Sequence, residues 1–173
     1  MDQTIPFESK LYFVFLGILL LARGSDFLST WLATPNLLLE ANPIAKRLGW
    51  RGGMVVNLVM CALFAAWPLP AIVVSTTSFL VAARNFQSAW LMRSMGEYSY
   101  RNWMAARISE GAFGIYMICL VAQSLLVALV GGALMLFSGE QLIPFGIGAG
   151  ILTYALAVFI FTALSVYRLR KSG

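Results

Sequence analysis

The sequence predicts an all-α protein: a polytopic integral membrane helix bundle of one domain, residues 1–173, with five transmembrane helices, its N-terminus outside and its C-terminus in the cytoplasm. Three observations lead there. Apolar residues make up 60% of the chain and charged residues 11%, whereas soluble domains carry about 25% charge. Several stretches reach the roughly 20 apolar residues that a spanning helix needs. The cations lie beside those stretches rather than within a basic stripe, as membrane orientation requires. A soluble enzyme, a disordered tail and a disulfide scaffold are excluded by composition.

Four spans qualify by length, at about 11–33, 70–92, 111–137 and 141–167. The fifth, 53–67, is shorter and runs into Pro68-Leu69-Pro70. Proline removes a backbone donor and crowds the preceding turn, so this segment either reverses the chain or kinks one long helix. Cation placement decides between the two. With a reversal, Lys10 lies on one face. The nine cations Lys46, Arg47, Arg51, Arg93, Arg101, Arg107, Arg168, Arg170 and Lys171 lie on the other. A single kinked helix would split the nine between the faces, against the positive-inside rule. Met1–Lys10 carries Asp2 and Glu8 rather than a basic leader, so it is not read as a cleavable signal. The inner (plasma) membrane of a cell is the expected location.

Polar residues interrupt two spans. Arg23, Asp26 and Thr30 fall in the first, at offsets that share one helix face. Arg84, Asn85 and Gln87 fall in the third, beyond a Ser75-Thr76-Thr77-Ser78 run. Intramembrane charge costs about 2.5–3.5 kcal/mol per residue on insertion scales, so these groups should face the bundle interior and find partners. Asp26 and Arg84 lie at similar depths, roughly 10 and 12 Å from the same face by helix rise. We therefore expect an Asp26–Arg84 pair, with Arg23 contributing from one turn away and Asn57 and Gln123 as hydrogen-bonding neighbours. The cluster either pins helix packing or binds a proton, an ion or a lipid headgroup.

The connection 34–52 is too short and too charged to span, yet it holds an apolar triplet and Trp50. It reads as an interfacial or re-entrant loop, or an ordinary amphipathic one, broken at Asn42-Pro43. In the re-entrant case Glu40 and Asn42 line the cytoplasmic mouth of a cavity containing Asp26.

The order of Arg23, Asp26 and Thr30 followed by Glu40, Asn42 and Pro43 resembles a widespread group of small, uncharacterised bacterial membrane proteins of the domain-of-unknown-function type. That group carries a D…T…E-x-N-P signature. The resemblance covers the first third of the chain and implies a small polytopic membrane protein without an assigned activity or site.

Gly146 and Gly150 form a G-x-x-x-G in the last span, a pattern that permits close backbone approach, either within the chain or to another subunit. Gly111 and Gly114 would do the same at the start of the fourth span. The stretch 93–110 interleaves Arg101 and Arg107 with Tyr98, Tyr100 and Trp103, which suits a helix on the cytoplasmic membrane surface.

The chain has no histidine, which removes imidazole ligation and histidine acid–base chemistry. Cys61 and Cys119 stand alone in apolar runs without metal spacing. We expect no catalytic constellation, no metal site, no cofactor and no nucleic-acid partner. Membrane lipids and other membrane subunits, or copies of the chain itself, are the expected partners. The leading functional expectation is a non-enzymatic structural or accessory subunit of a larger membrane complex. A small ion, proton or lipid transporter using Asp26 and Glu40 comes second, and an intramembrane lipid-modifying enzyme third.

Overall fold

A computed structural model describes residues 4–172, the side chains of Ala112, Lys171 and Ser172 excepted. Asp2 of the acidic leader and the Lys171 side chain of the last cationic group lie outside the described residues. All regular structure among the described residues is helical: α1 (Lys10–Ala33), α2 (Pro43–Phe64), α3 (Pro68–Met95), α4 (Glu97–Arg107), α5 (Phe113–Phe137) and α6 (Leu142–Ser172), with a π-helical turn, Ile108–Ala112, leading into α5. Four helices are long and apolar enough to cross a membrane: α1, α3, α5 and α6. This makes the chain a multi-pass membrane protein by length and composition. α2 is not among the four; Lys46, Arg47, Arg51 and three glycines dilute its apolar run.

Each helix start follows from local chemistry. The Ser9 hydroxyl accepts the amide of Tyr12 at 3.1 Å and caps α1. Asn42 caps α2 by accepting from the Ile44 amide at 3.0 Å, and Pro43 occupies the first turn, where its missing N–H costs nothing. The Asn42-Pro43 break is therefore the boundary of a helix. α2 kinks at Gly49, whose φ of 63° and ψ of −173° are open to glycine. The chain reverses at Ala65–Trp67, and Pro68 begins α3. Of the two readings open for Pro68 and Pro70, reversal is the one the fold adopts.

Side-chain bonds fix the helix directions. Tyr12 Oη donates to the Ala62 carbonyl at 3.0 Å, and the Ile5 amide donates to the Ala66 carbonyl at 2.8 Å. At the other end of the pair, Phe27 packs edge-on against Trp50. α2 thus runs antiparallel to α1 along its length. Arg23 bonds Ser78, and Asn85 bonds Ser29 and Thr30, so α3 runs parallel to α1. The Thr77 hydroxyl donates to the Gly150 carbonyl at 3.0 Å and Arg84 reaches Thr162, so α6 runs parallel to α3. Arg170 stacks over Phe113, the last residues of α6 against the first of α5, which makes that pair antiparallel.

The glycines of α6 are used within the chain. A Cβ on Gly146 would lie 2.8 Å from Ile72, and one on Gly150 would lie 2.9 Å from the Val73 carbonyl, both on α3. A Cβ on Gly148 would lie 2.6 Å from the Gly131 carbonyl of α5. The ridge that could have met another subunit is filled on both sides by its own bundle. Gly111 and Gly114 correct the expectation of close packing there: a Cβ on either meets nothing within 4 Å. Gly111 instead takes a φ of 103° in the π-helical turn, a conformation that side chains disfavour.

Candidate functional site, a polar cavity inside the bundle

A cavity of about 570 Å³ lies among α1, α2, α3, α6 and the 34–42 loop. Its size falls within the roughly 300–1,000 Å³ of small-molecule sites. Arg23, Asp26, Thr30, Arg84, Asn85 and Glu40 all line it, so the fold joins the intramembrane cluster to the loop motif. Asn42 lines it as well, whereas Gln87 and Pro43 are exposed.

Arg23 is the hub of the cluster. Its Nη1 bonds Asp26 Oδ2 at 2.9 Å and the Ser78 hydroxyl at 3.1 Å, and its Nε donates to Asn57 Oδ1. Asn57 in turn donates to the Gly53 carbonyl at 2.7 Å, which holds its amide orientation. The pair is consequently Arg23–Asp26, and the expected Asp26–Arg84 pair is not formed. Depth counted from the helix ends does not predict the partner. Asn85, beside Arg84, sits level with Ser29 and Thr30, donating to both hydroxyls at 3.3 Å. Arg84 therefore lies level with Ser29, about one turn from Asp26, and it turns towards α6, where Nη2 reaches the Thr162 hydroxyl at 3.4 Å. Arg23 is already one helical turn from Asp26, so the local pair wins. Gln123, expected as a neighbour, is exposed on α5.

Arg84 therefore stands in the cavity wall without a carboxylate partner among the described residues. Its Nη1 is buried and makes no hydrogen bond. An unpaired donor on a cation, out of water, is costly. The two acidic groups offer it little relief. Asp26 is engaged by Arg23. The Glu40 carboxylate accepts the Asn42 amide at 2.7 Å, and burial nonetheless pushes Glu40 above the usual carboxylate range, outweighing that bond.

The loop is shaped by a residue that the sequence places only in the surface stretch 93–110, with no link to the loop. Glu97, at the start of α4 and 7% exposed, accepts the Thr34 hydroxyl at 2.8 Å, the Asn36 amide at 2.8 Å, the Leu38 amide at 3.0 Å and the Asn36 carboxamide at 3.1 Å. Burial raises such a carboxyl, but these donors together carry Glu97 below the usual range. They hold the turn in which Leu37 adopts a φ of 55°. The Trp50 indole donates to the Pro35 carbonyl at 2.8 Å, tying the same loop to α2. Thr162, the Arg84 partner, was passed over, because a lone threonine in an apolar run carries no signal of its own.

Among the described residues, no group of three or more histidine, cysteine or acidic side chains converges as a metal site. Compared with protein-family models, with curated proteins and with solved structures, the chain matches none.

Proposed function

We propose that this is a five-crossing inner-membrane protein, N-terminus outside and C-terminus in the cytoplasm, that binds a small oxyanionic group in its bundle cavity. The observation that carries the binding reading is Arg84: a guanidinium in the cavity wall with no acidic partner among the described residues and only the Thr162 hydroxyl as a hydrogen-bonding partner. Guanidinium forks match carboxylate and phosphate geometry. The parallel run of α1 and α3 supports the fifth crossing. If both span the bilayer in the same direction, the chain between them must return across it, and α2 lies antiparallel along α1. The distribution of cations supports the orientation.

This reading stands ahead of an accessory-subunit role because the glycine ridge available for a partner is occupied within the chain. The test is binding of inorganic phosphate and of acetate to protein in neutral-lipid nanodiscs, followed by calorimetry and by 31P line broadening. We expect saturable binding that weakens at least tenfold in Arg84→Gln and is unchanged in Gln87→Ala. Equal binding by Arg84→Gln and the parent protein would remove the proposal.

A further inference from the structure

The cavity is not polar throughout, and its polarity is ordered along the bundle. The cytoplasmic mouth carries Glu40 and Asn42, and the next levels carry Thr30 with Asn85, Arg84, and then Asp26 paired to Arg23 with Asn57. Beyond Arg23, towards the N-terminal end of α1, the walls become Met60, Phe64 and Val74, with the fully buried Leu19 and Cys61 packed behind them. Tyr12, bonded to the Ala62 carbonyl, joins α1 to α2 beyond that apolar end. A free inorganic anion would use the first half and leave the second half bare. Apolar space of that kind is poorly served by water, which needs two to four polar partners. Arg23 lies ten residues before the end of α1, about 15 Å by helix rise, so the apolar half extends past mid-bilayer.

Resting on the anion-binding reading above, we infer that the ligand is an amphiphile. Its phosphate or carboxylate head meets Arg84, and a single alkyl chain lies between α1, α2 and α3 against Met60, Phe64 and Val74. A fatty acid or a monoalkyl or monoacyl phosphate has this chemistry. The head faces the mouth and the tail faces the midplane, which is the orientation of a lipid in the cytoplasmic leaflet drawn inward. The volume of about 570 Å³ suits one chain with its head. The Arg23–Asp26 pair is neutral as a unit, and Arg23 is held further by Asn57 and Ser78, so a chain passing it meets a paired charge.

The probe is dodecyl phosphate carrying a terminal diazirine, photolysed with the protein in phosphatidylcholine nanodiscs, and the labelled peptides are mapped by mass spectrometry. We expect labelling at Met60, Phe64 or Val74, competed by unlabelled dodecyl phosphate and at least tenfold less by dodecanol. Met60→Trp, which fills the apolar end at a partly exposed helix position, should abolish that labelling while inorganic phosphate still binds. Arg84→Lys should retain part of the labelling that Arg84→Gln loses, with helicity and elution volume as the check on folding. Phosphate binding with label confined to the outer faces of α5 and α6 would overturn the amphiphile and leave the anion site standing. Loss of both phosphate binding and interior labelling in the parent protein would overturn both.

Discussion

Asp26→Asn leaves the Arg23 guanidinium with Asn57 and Ser78 but no counter-charge. Removing one member of a buried pair costs about 3–5 kcal/mol. Asp26 and Arg23 retain 17% and 30% side-chain exposure to the cavity, so we expect the lower end of that range or less, read as a fall in Tm in neutral detergent. The cycle of Asp26→Asn with Arg23→Gln should show a coupling of about 0.5–3 kcal/mol, and the cycle with Arg84→Gln a clearly smaller one. Equal couplings would mean that Arg84 shares the pair. Glu97 is the second residue with a defined consequence. A carboxylate held below its ordinary value contributes stability that is complete above that value, 4.5, and is lost as pH falls through the lower folded value. Protection of the Asn36 and Leu38 amides from hydrogen exchange should therefore collapse at acid pH below 4.5. Glu97→Gln should lose about 1–3 kcal/mol at neutral pH, because its carboxamide puts a donor where donors already point. Unchanged exchange at both amides in that variant would dismiss the latch. Glu40 works in the opposite sense: its raised value makes the buried carboxylate a cost that grows as pH rises from 4.5 through the folded value.

The helices were legible in the sequence to within a few residues where the apolar run was long, since composition alone dictates a spanning element. The third span was read from Pro70, two residues inside its observed start at Pro68, because the two prolines mark a reversal without saying which of them opens the helix. The start of α2 was missed by ten residues, because an Asn-Pro pair marks a break without saying on which side the helix lies. What could not be read was rotation about the axis. Depth counted from the helix ends set Arg84 level with Asp26, whereas the cross-helix bonds put it about one turn away, and packing against α6 turns it to Thr162. The Glu97 latch joins residues about sixty positions apart, and no local pattern announces such a bond. Close helix contact makes a separate expectation. Gly148→Ala drives a Cβ into the Gly131 carbonyl and should cost about 1–3 kcal/mol, the usual penalty of overpacking. Gly132→Ala, with nothing within 4 Å, should stay within about 0.5 kcal/mol. If the two variants melt alike in detergent, α5 and α6 do not pack as closely as described.

At the scale of the molecule the proposal that matters most is the number of crossings, because it decides whether the cavity mouth opens to the cytoplasm. The bundle places residues 65–67 and 138–141 at the end where α1 begins, and the 34–42 loop and α4 at the end where α1 finishes. In a background with Cys61→Ala and Cys119→Ser, single-cysteine variants at exposed positions report sidedness. With five crossings, Trp67→Cys and Glu140→Cys react with an impermeant maleimide added to intact cells with a permeabilised outer layer. Lys46→Cys and Arg101→Cys react only after the membrane is opened. Trp67 is the informative position: if α2 lies along the surface instead of returning through the bilayer, residue 67 stays on the side of Lys46 and is protected in intact cells. A parallel α1 and α3 could not then both span, and the cavity between them would lose its membrane setting. The shortness of α2 after Gly49, about 23 Å over Trp50–Phe64 against a hydrocarbon core of about 30 Å, means that such a crossing also thins the local bilayer or draws in headgroups. We expect anionic lipid to be enriched at that side, where Lys46, Arg47 and Arg51 lie at the start of α2.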